Sequence, residues 1–220
     1  MAVVLSVTPL DTSCQYTAVF SGPDLQQLRE ESKLDLIGRM INAFGLRFNE
    51  LKFGPESPSN RLISFSKFYN PSFLDVSYGV EEVSASLRNP GSEDQLLDLF
   101  GKLSDLFSHL SVSVQRMILQ QHCKSNGDTV SYLQTVSPYA PEAFSGLLDG
   151  RGVTYYLNVP DHNMLSHITV ANSLFVQDGL FLYVQIEFSP NKYAFREAFR
   201  IANEHGRLVF TGLGLIVEGA

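Results

Sequence analysis

Five histidines, two cysteines and a few close-set carboxylates are the residues of this 220-residue chain best equipped for chemistry. The tightest constellation is DHNMLSH, which holds Asp161, His162 and His167. A five-residue separation does not bring two imidazoles onto one helical face as an i, i+4 spacing would, and the stretch reads as a hairpin turn. A metal is reached only if Asp161 and one histidine converge from the two arms. Aspartate and asparagine beside a proline are equally what a turn needs for backbone reasons. The expectation is no metal and no cofactor, with Asp161, His162, His167 and Tyr183 as candidate polar lining of a ligand site.

The stretch QQHCKSNGD sets His122 beside Cys123 and raises the question of a thiol nucleophile. Adjacent residues of a strand point to opposite faces, so neither side chain activates the other. Cys123 reads instead as a small buried apolar residue. Asp75, Glu81 and Glu82 fall on one apparent long strand over 73–88, with Gly79 and the glutamates at a bulge or bend. At that spacing Asp75 and Glu81 stand roughly 20 Å apart, too far for a catalytic carboxylate pair. TGLGLIVEG lacks the order GxGxxG and is not followed by a helix, and no phosphate loop, GxSxG, HExxH or CxxC spacing occurs.

Composition narrows the classes further. A net charge of -7, with sixteen basic residues scattered along the chain, argues against a nucleic-acid partner, which needs clustered Lys and Arg to displace counterions. An apolar fraction of 44% marks a folded chain. No apolar run is long enough to cross a membrane, and MAVVLSV reads as a first strand rather than a leader. Cys14 and Cys123 are too few for a disulfide framework. A reducing, cytoplasmic compartment is the default expectation, and a Cys14–Cys123 bridge in an exported protein is the alternative.

These residues must be positioned by elements that the periodicity outlines. Strands are expected at 2–8 and 14–20, joined by the turn formers TPLDTS, then a helix over 24–44 capped by Asp24 and striped by Ile37, Met40, Ile41 and Phe44. FGPESPSN is a loop, followed by strands at 61–69 and 73–88. A helix begins after Ser92, with Leu96, Phe100, Leu103, Phe107 and Leu110 on one face. A strand follows over 112–122, then a partly helical segment over 128–148 broken by Pro138 and Pro141. Strands resume at 151, with a hairpin at Gln177-Asp178-Gly179. A helix over 191–205 buries Phe195, Ala198, Phe199 and Ala202, and 207–218 reads as a final strand.

The fold class is therefore α+β, a mostly antiparallel sheet with helices packed on one face. The order strand, strand, helix, strand occurs twice, over about 61–122 and 165–218. One globular domain over 1–220 is expected. It is either a pseudo-duplicate, with halves of about 1–125 and 150–220 joined by 126–149, or a chance agreement in element order.

In the strand over 180–188, Leu182, Val184, Ile186 and Phe188 share one face, and Phe181, Tyr183, Gln185 and Glu187 share the other. The second face is half aromatic and needs a cover: a partner chain, a ligand, or an internal helix such as 128–148. Tyr156, Phe181 and Tyr183 are the candidate partner-contacting residues. The leading expectation is a non-catalytic interaction protein that engages a protein partner, or a second copy of itself, through a sheet face or edge. The alternative is a ligand-binding or enzymatic domain with an aromatic-lined pocket between sheet and helices. Neither a nucleic acid nor a membrane is an expected partner.

Overall fold

Period-two alternation of apolar residues dominates this chain, and strands dominate the fold. The computed structural model describes residues 4–54, 61–138 and 150–218. The elements run β1 (Leu5–Phe20), α1 (Glu30–Phe44), β2 (Leu51–Phe53), β3 (Arg61–Tyr69), β4 (Ser72–Gly79), β5 (Glu82–Arg88), α2 (Glu93–Leu106) and β6 (Val112–Ser125). After these come α3 (Thr129–Val136), β7 (Gly152–Val159), β8 (Met164–Asn172), β9 (Leu180–Phe188), α4 (Phe195–Gly212) and β10 (Leu215–Val217). The strands make one open, mostly antiparallel sheet in the order β2-β3-β4-β5-β1-β6-β9-β8-β7, with β10 parallel to the start of β1. The class is α+β, as the sequence indicates.

By contacts the chain forms two compact units, neither continuous in sequence. One holds Cys14–Met117 and Glu187–Phe199; the other holds Met1–Ser13, Ile118–Ile186 and Arg200–Ala220. In the first unit the register aligns Ile63 with Tyr78 and Phe65 with Val76 across β3 and β4. It also aligns Leu74 with Leu87, Val76 with Ala85 and Tyr78 with Val83 across β4 and β5. All of these are buried, so one sheet face is a continuous apolar surface. Both long helices of the unit lie against it: Phe44 of α1 meets Phe65 at 5.0 Å, and Phe107 after α2 stacks on Tyr78 at 4.8 Å. The opposite face carries Ser64, Ser66, Asp75, Ser77, Ser84 and Ser86, with Phe68 and Phe73 at its hairpin end.

Ser92 caps α2 as expected, accepting from the Gln95 amide at 3.2 Å. Asp24 does not cap a helix. Residues Leu25–Leu28 form a separate single turn before α1, and the Asp24 carboxylate accepts from the Tyr78 hydroxyl at 2.9 Å inside the core. Burial and then this hydrogen bond push the Tyr78 phenol far above its ordinary pKa. The segment 73–88 is not one bent strand. It folds back at Gly79–Glu82 into β4 and β5, which places Asp75 opposite Ser66 and Ser86 and leaves Glu81 in the turn. TPLDTS, expected to be a turn, lies inside the sixteen-residue β1.

In the second unit, Leu5, Val7, Cys123, Val170, Leu180 and Leu182 pack with Tyr132 and Leu133 of α3 and Leu215 of β10. The stretch 207–212 is helical rather than extended. As a continuation of α4 it brings Phe210 onto this core and turns Leu208 to solvent, where it is 72% exposed. Gly214, at φ 70°, then ends the run, leaving only Leu215–Val217 as strand. The turn at 177–179 closes a longer connection, because β8 stops at Asn172. Cys14 and Cys123 are both buried and both free, so the bridge alternative does not hold. Burial pushes each thiol up to about 12.

The strand–strand–helix–strand order is present, but each instance is preceded by one more meander strand, β3 in one case and β7 in the other. Element order by itself does not establish a duplication.

Two expectations follow from these contacts. Tyr78→Phe deprives the buried Asp24 carboxylate of its donor and should cost about 1–3 kcal/mol in denaturant unfolding. Unchanged stability would remove this bond from the core's account. At the C-terminus, Glu218 accepts from Ser6, Thr8 and Asn126. The Ser6 hydroxyl, then Thr8, holds its carboxyl below the ordinary 4.5. A depressed carboxylate pKa adds stability above the unfolded-state value and loses it as pH falls through the folded-state value. Protection factors of the β10 amides, corrected for the intrinsic exchange rate, should therefore fall as pH drops below about 4.5, and Glu218→Gln should flatten that dependence.

Candidate functional site

The outward-facing residues of the second unit form the most unusual surface of the protein. The register of β7 and β8 sets Tyr156 opposite His167 and Thr154 opposite Thr169. Tyr156 stacks on His167 at 4.7 Å and 22°, and His167 meets Tyr183 of β9 at 5.0 Å. Tyr183 continues to Phe181 at 6.5 Å, Phe181 to His122 of β6 at 4.9 Å, and His122 to Phe175 at 4.7 Å and 89°. Six rings thus form an unbroken chain across four strands and one loop. Its ends are open: Tyr156 is 78% exposed and Phe175 81%.

Alternation builds this row. Met164, Ser166, Ile168 and Val170 of β8, and Leu180, Leu182, Val184 and Ile186 of β9, are buried on the core face. Their odd-numbered or even-numbered neighbours must then face out. The segment expected to cover the ring row contains α3, but α3 packs on the core side through Tyr132 and Leu133. Residues 139–149 of that segment lie outside the described residues. Among the described residues, no helix packs on the ring row.

The hydrogen bonds of the row show what it can do. Tyr183 donates to Gln185 at 2.7 Å, and His167 Nε2 lies 3.3 Å from Thr169 Oγ1. His122 Nδ1 lies 2.9 Å from Ser173 Oγ, the spacing of a serine nucleophile and its base. That oxygen also accepts the amides of Phe175 and Val176 at 3.2 and 3.0 Å. A hydroxyl has two lone pairs, and both are engaged in shaping the loop. Ser173 therefore orients His122 and fixes the Phe175 loop; it is not poised to attack. Cys123, one residue from His122, is fully buried on the other face, as strand geometry requires.

Of the candidate residues from sequence, the structure brings Tyr156, His167, Phe181 and Tyr183 into one row. Asp161 and His162 sit in the single turn Pro160–His162 that joins β7 to β8, beyond the Val159–Met164 pair that closes the hairpin. Sequence reasoning does not point to His122, Phe175 or Ser173 as parts of the site. His122 drew attention only through its cysteine neighbour, and nothing local reveals that Phe175 folds back onto it. Among the described residues, no three His, Cys, Asp or Glu side chains stand close enough to hold a metal ion.

A groove of about 600 Å³ lies in the other unit, lined by Gln26, Gln27, Glu31, Asp35, Arg39 and His109 among others. Its charged pair serves the fold: Arg39 bridges Asp35 at 3.0 Å and donates to the Leu106 carbonyl at the end of α2. Among the described residues, no helix is long and apolar enough to cross a membrane.

No family model matches this chain, and no curated protein does. Among solved structures, a chain described as the crystal structure of the Tle4-Tli4 complex aligns over 92% of this chain and 95% of its own. The identity is 7% and the TM-score 0.16, a likeness that supports no inference about fold or activity.

The two ends of the ring row are too exposed to hold the fold together. Replacing both, as Tyr156→Ser with Phe175→Ser, should change unfolding free energy by no more than about 1 kcal/mol, the range of two ordinary surface changes. A loss of several kcal/mol would make the row part of the core.

Proposed function

We propose that this chain is a non-catalytic interaction protein whose binding surface is the ring row on the outer face of β6, β9, β8 and β7. The observation that carries the reading is the contrast between the two outer sheet faces. In one unit that face is mainly serine with an aspartate, and its two rings, Phe68 and Phe73, form a single cross-strand pair at the hairpin end. In the other, six rings stand in contact and two of them are almost fully exposed. Rings in water are costly, and protein interfaces concentrate them.

The paired hydroxyls and amides, Thr154 with Thr169 at 3.0 Å and Tyr183 with Gln185, give the face polar groups among its rings. Such a mixture suits a protein surface, where Tyr and His supply rigid area at small entropic cost. The acidic balance of the chain disfavours a nucleic acid stacked on these rings. The alternative reading, a ligand-binding or enzymatic pocket between sheet and helices, draws less support: the described groove is polar, and Ser173 is engaged as a loop anchor. A reducing, cytoplasmic setting fits two free, buried thiols.

A photo-crosslinking residue placed at Phe175 tests the reading inside cells. Position 175 should capture a protein, whereas Leu208, exposed to a similar degree on α4, should capture little. Equal yields at the two positions would overturn the assignment of the face.

A further inference from the structure

The two outermost strands of the sheet are treated very differently. β2 is three residues long and carries Lys52 at its centre, two of the devices that keep an edge from pairing with another chain. β7 has none of them. It runs for eight residues, GVTYYLNV, without Lys, Arg, Asp, Glu or Pro. Its register against β8 passes from Gly152–Ala171 to Val159–Met164 without a shift, so no bulge turns it away.

The direction of its free backbone groups can be read from one bond. The Asn172 amide donates to the Arg151 carbonyl at 2.9 Å, which makes Arg151–Asn172 a hydrogen-bonded pair of the ladder. Such pairs alternate along an antiparallel ladder. Val153, Tyr155 and Leu157 therefore turn their N–H and C=O groups toward β8. Gly152, Thr154, Tyr156 and Asn158 turn theirs outward. The Gly152 carbonyl confirms the direction by accepting from Ser137 Oγ at 3.2 Å. Among the described residues β7 pairs with β8 alone, so the outward backbone groups of Thr154, Tyr156 and Asn158 meet no further strand.

We propose that this edge is filled by β7 of a second copy of the chain, paired antiparallel about a two-fold axis at Tyr156. This rests on the reading of the protein as an interaction module and names what its edge takes. A two-fold axis normal to the sheet pairs residues of the same face, and only outward-turned residues can exchange bonds. Centring on Tyr156 satisfies both conditions. Tyr156 meets Tyr156 of the second copy, Thr154 meets Asn158 and Asn158 meets Thr154, each pair exchanging two hydrogen bonds. On the other face, Val153 meets Val159 and Tyr155 meets Leu157, so apolar side chains oppose apolar ones.

The same register stops itself. The next outward position, Gly152, faces Pro160, which has no N–H to give, and the Gly152 carbonyl is already occupied. A chain of charge -7 would otherwise repel its own copy; here the contact strand carries no charged residue. The pairing also joins the two ring rows at Tyr156, giving one aromatic strip across both copies.

Sedimentation equilibrium of the full chain tests this directly. The wild type should show a species of twice 24.5 kDa that dissociates on dilution. Tyr156→Lys alone and Tyr156→Glu alone set like charges on the axis and should each be monomeric, while their equimolar mixture should recover the dimer. Asn158→Pro, which removes one outward N–H at a position where an edge strand accepts proline, should weaken the dimer at least about tenfold through the lost hydrogen bonds. A wild type that stays monomeric at every concentration overturns the proposal, as does a dimer indifferent to these substitutions. A mixture that fails to recover the dimer removes Tyr156 from the axis. If the wild type is monomeric but Phe175 still captures a different protein, the edge assignment fails and the face assignment stands.

Discussion

Pleating imposes a strict alternation on every strand, and in this protein the alternation fixes the core and the candidate binding surface at the same time. If β8 slipped by one residue against β7, Ile168 and Val170 would turn to water and His167 would turn inward. The buried half of each strand holds the register through apolar area removed from water. The exposed half inherits its geometry from that choice. Tyr156 and His167 stack because Tyr155 and Ile168 on the other side of the same pair are held in place. The ring row is thus positioned by residues that take no part in it.

The first unit shows the same constraint with a different result. Ile63, Phe65, Leu74, Val76, Tyr78, Val83, Ala85 and Leu87 form its apolar face, and α1 and α2 cover it with Leu36, Met40, Phe44, Phe100 and Leu103. Polar groups enter this core only with partners, as Asp24 does with Tyr78 and as Gln115 does with Tyr16 and the Tyr193 carbonyl. Arg116 and Glu187 pair at 2.7 Å on a half-exposed surface, where an ion pair contributes little. The outer face is left mainly to small hydroxyl side chains, with Phe68 and Phe73 paired at its hairpin end. The first unit's outer face carries one pair of rings, whereas the face of β6, β9, β8 and β7 carries six in contact.

Much of the fold was legible in the sequence, and the parts that were not share a cause. The stripe Leu96, Phe100, Leu103, Phe107 and the cap Ser92 marked α2, because both signals are local and agree. The alternation in 180–188 marked β9 and assigned each face. Residues 207–212 misled because Leu208, Val209 and Phe210 suit either a strand or the end of a helix, and only the core contact of Phe210 decides. Gly79–Glu82 read as a bend because a bulge and a tight turn use the same residues. Asp24 read as a helix cap because its partner Tyr78 lies fifty-four residues away.

The candidate site divides along the same line. By itself the sequence determined the α+β class, the acidic balance, the outward turn of Phe181 and Tyr183, and the separation of His122 from Cys123 across a strand, because each follows from composition or from the pleat. It also placed no charge and no proline inside β7. Only the tertiary structure decided that β7 is an edge, that Tyr156 faces His167, and that Ser173 and Phe175 fold back onto His122. Those facts depend on which strands pair and in what register, and pairing between segments distant in sequence leaves no local trace. The sequence supplied the rings; the register made them a surface.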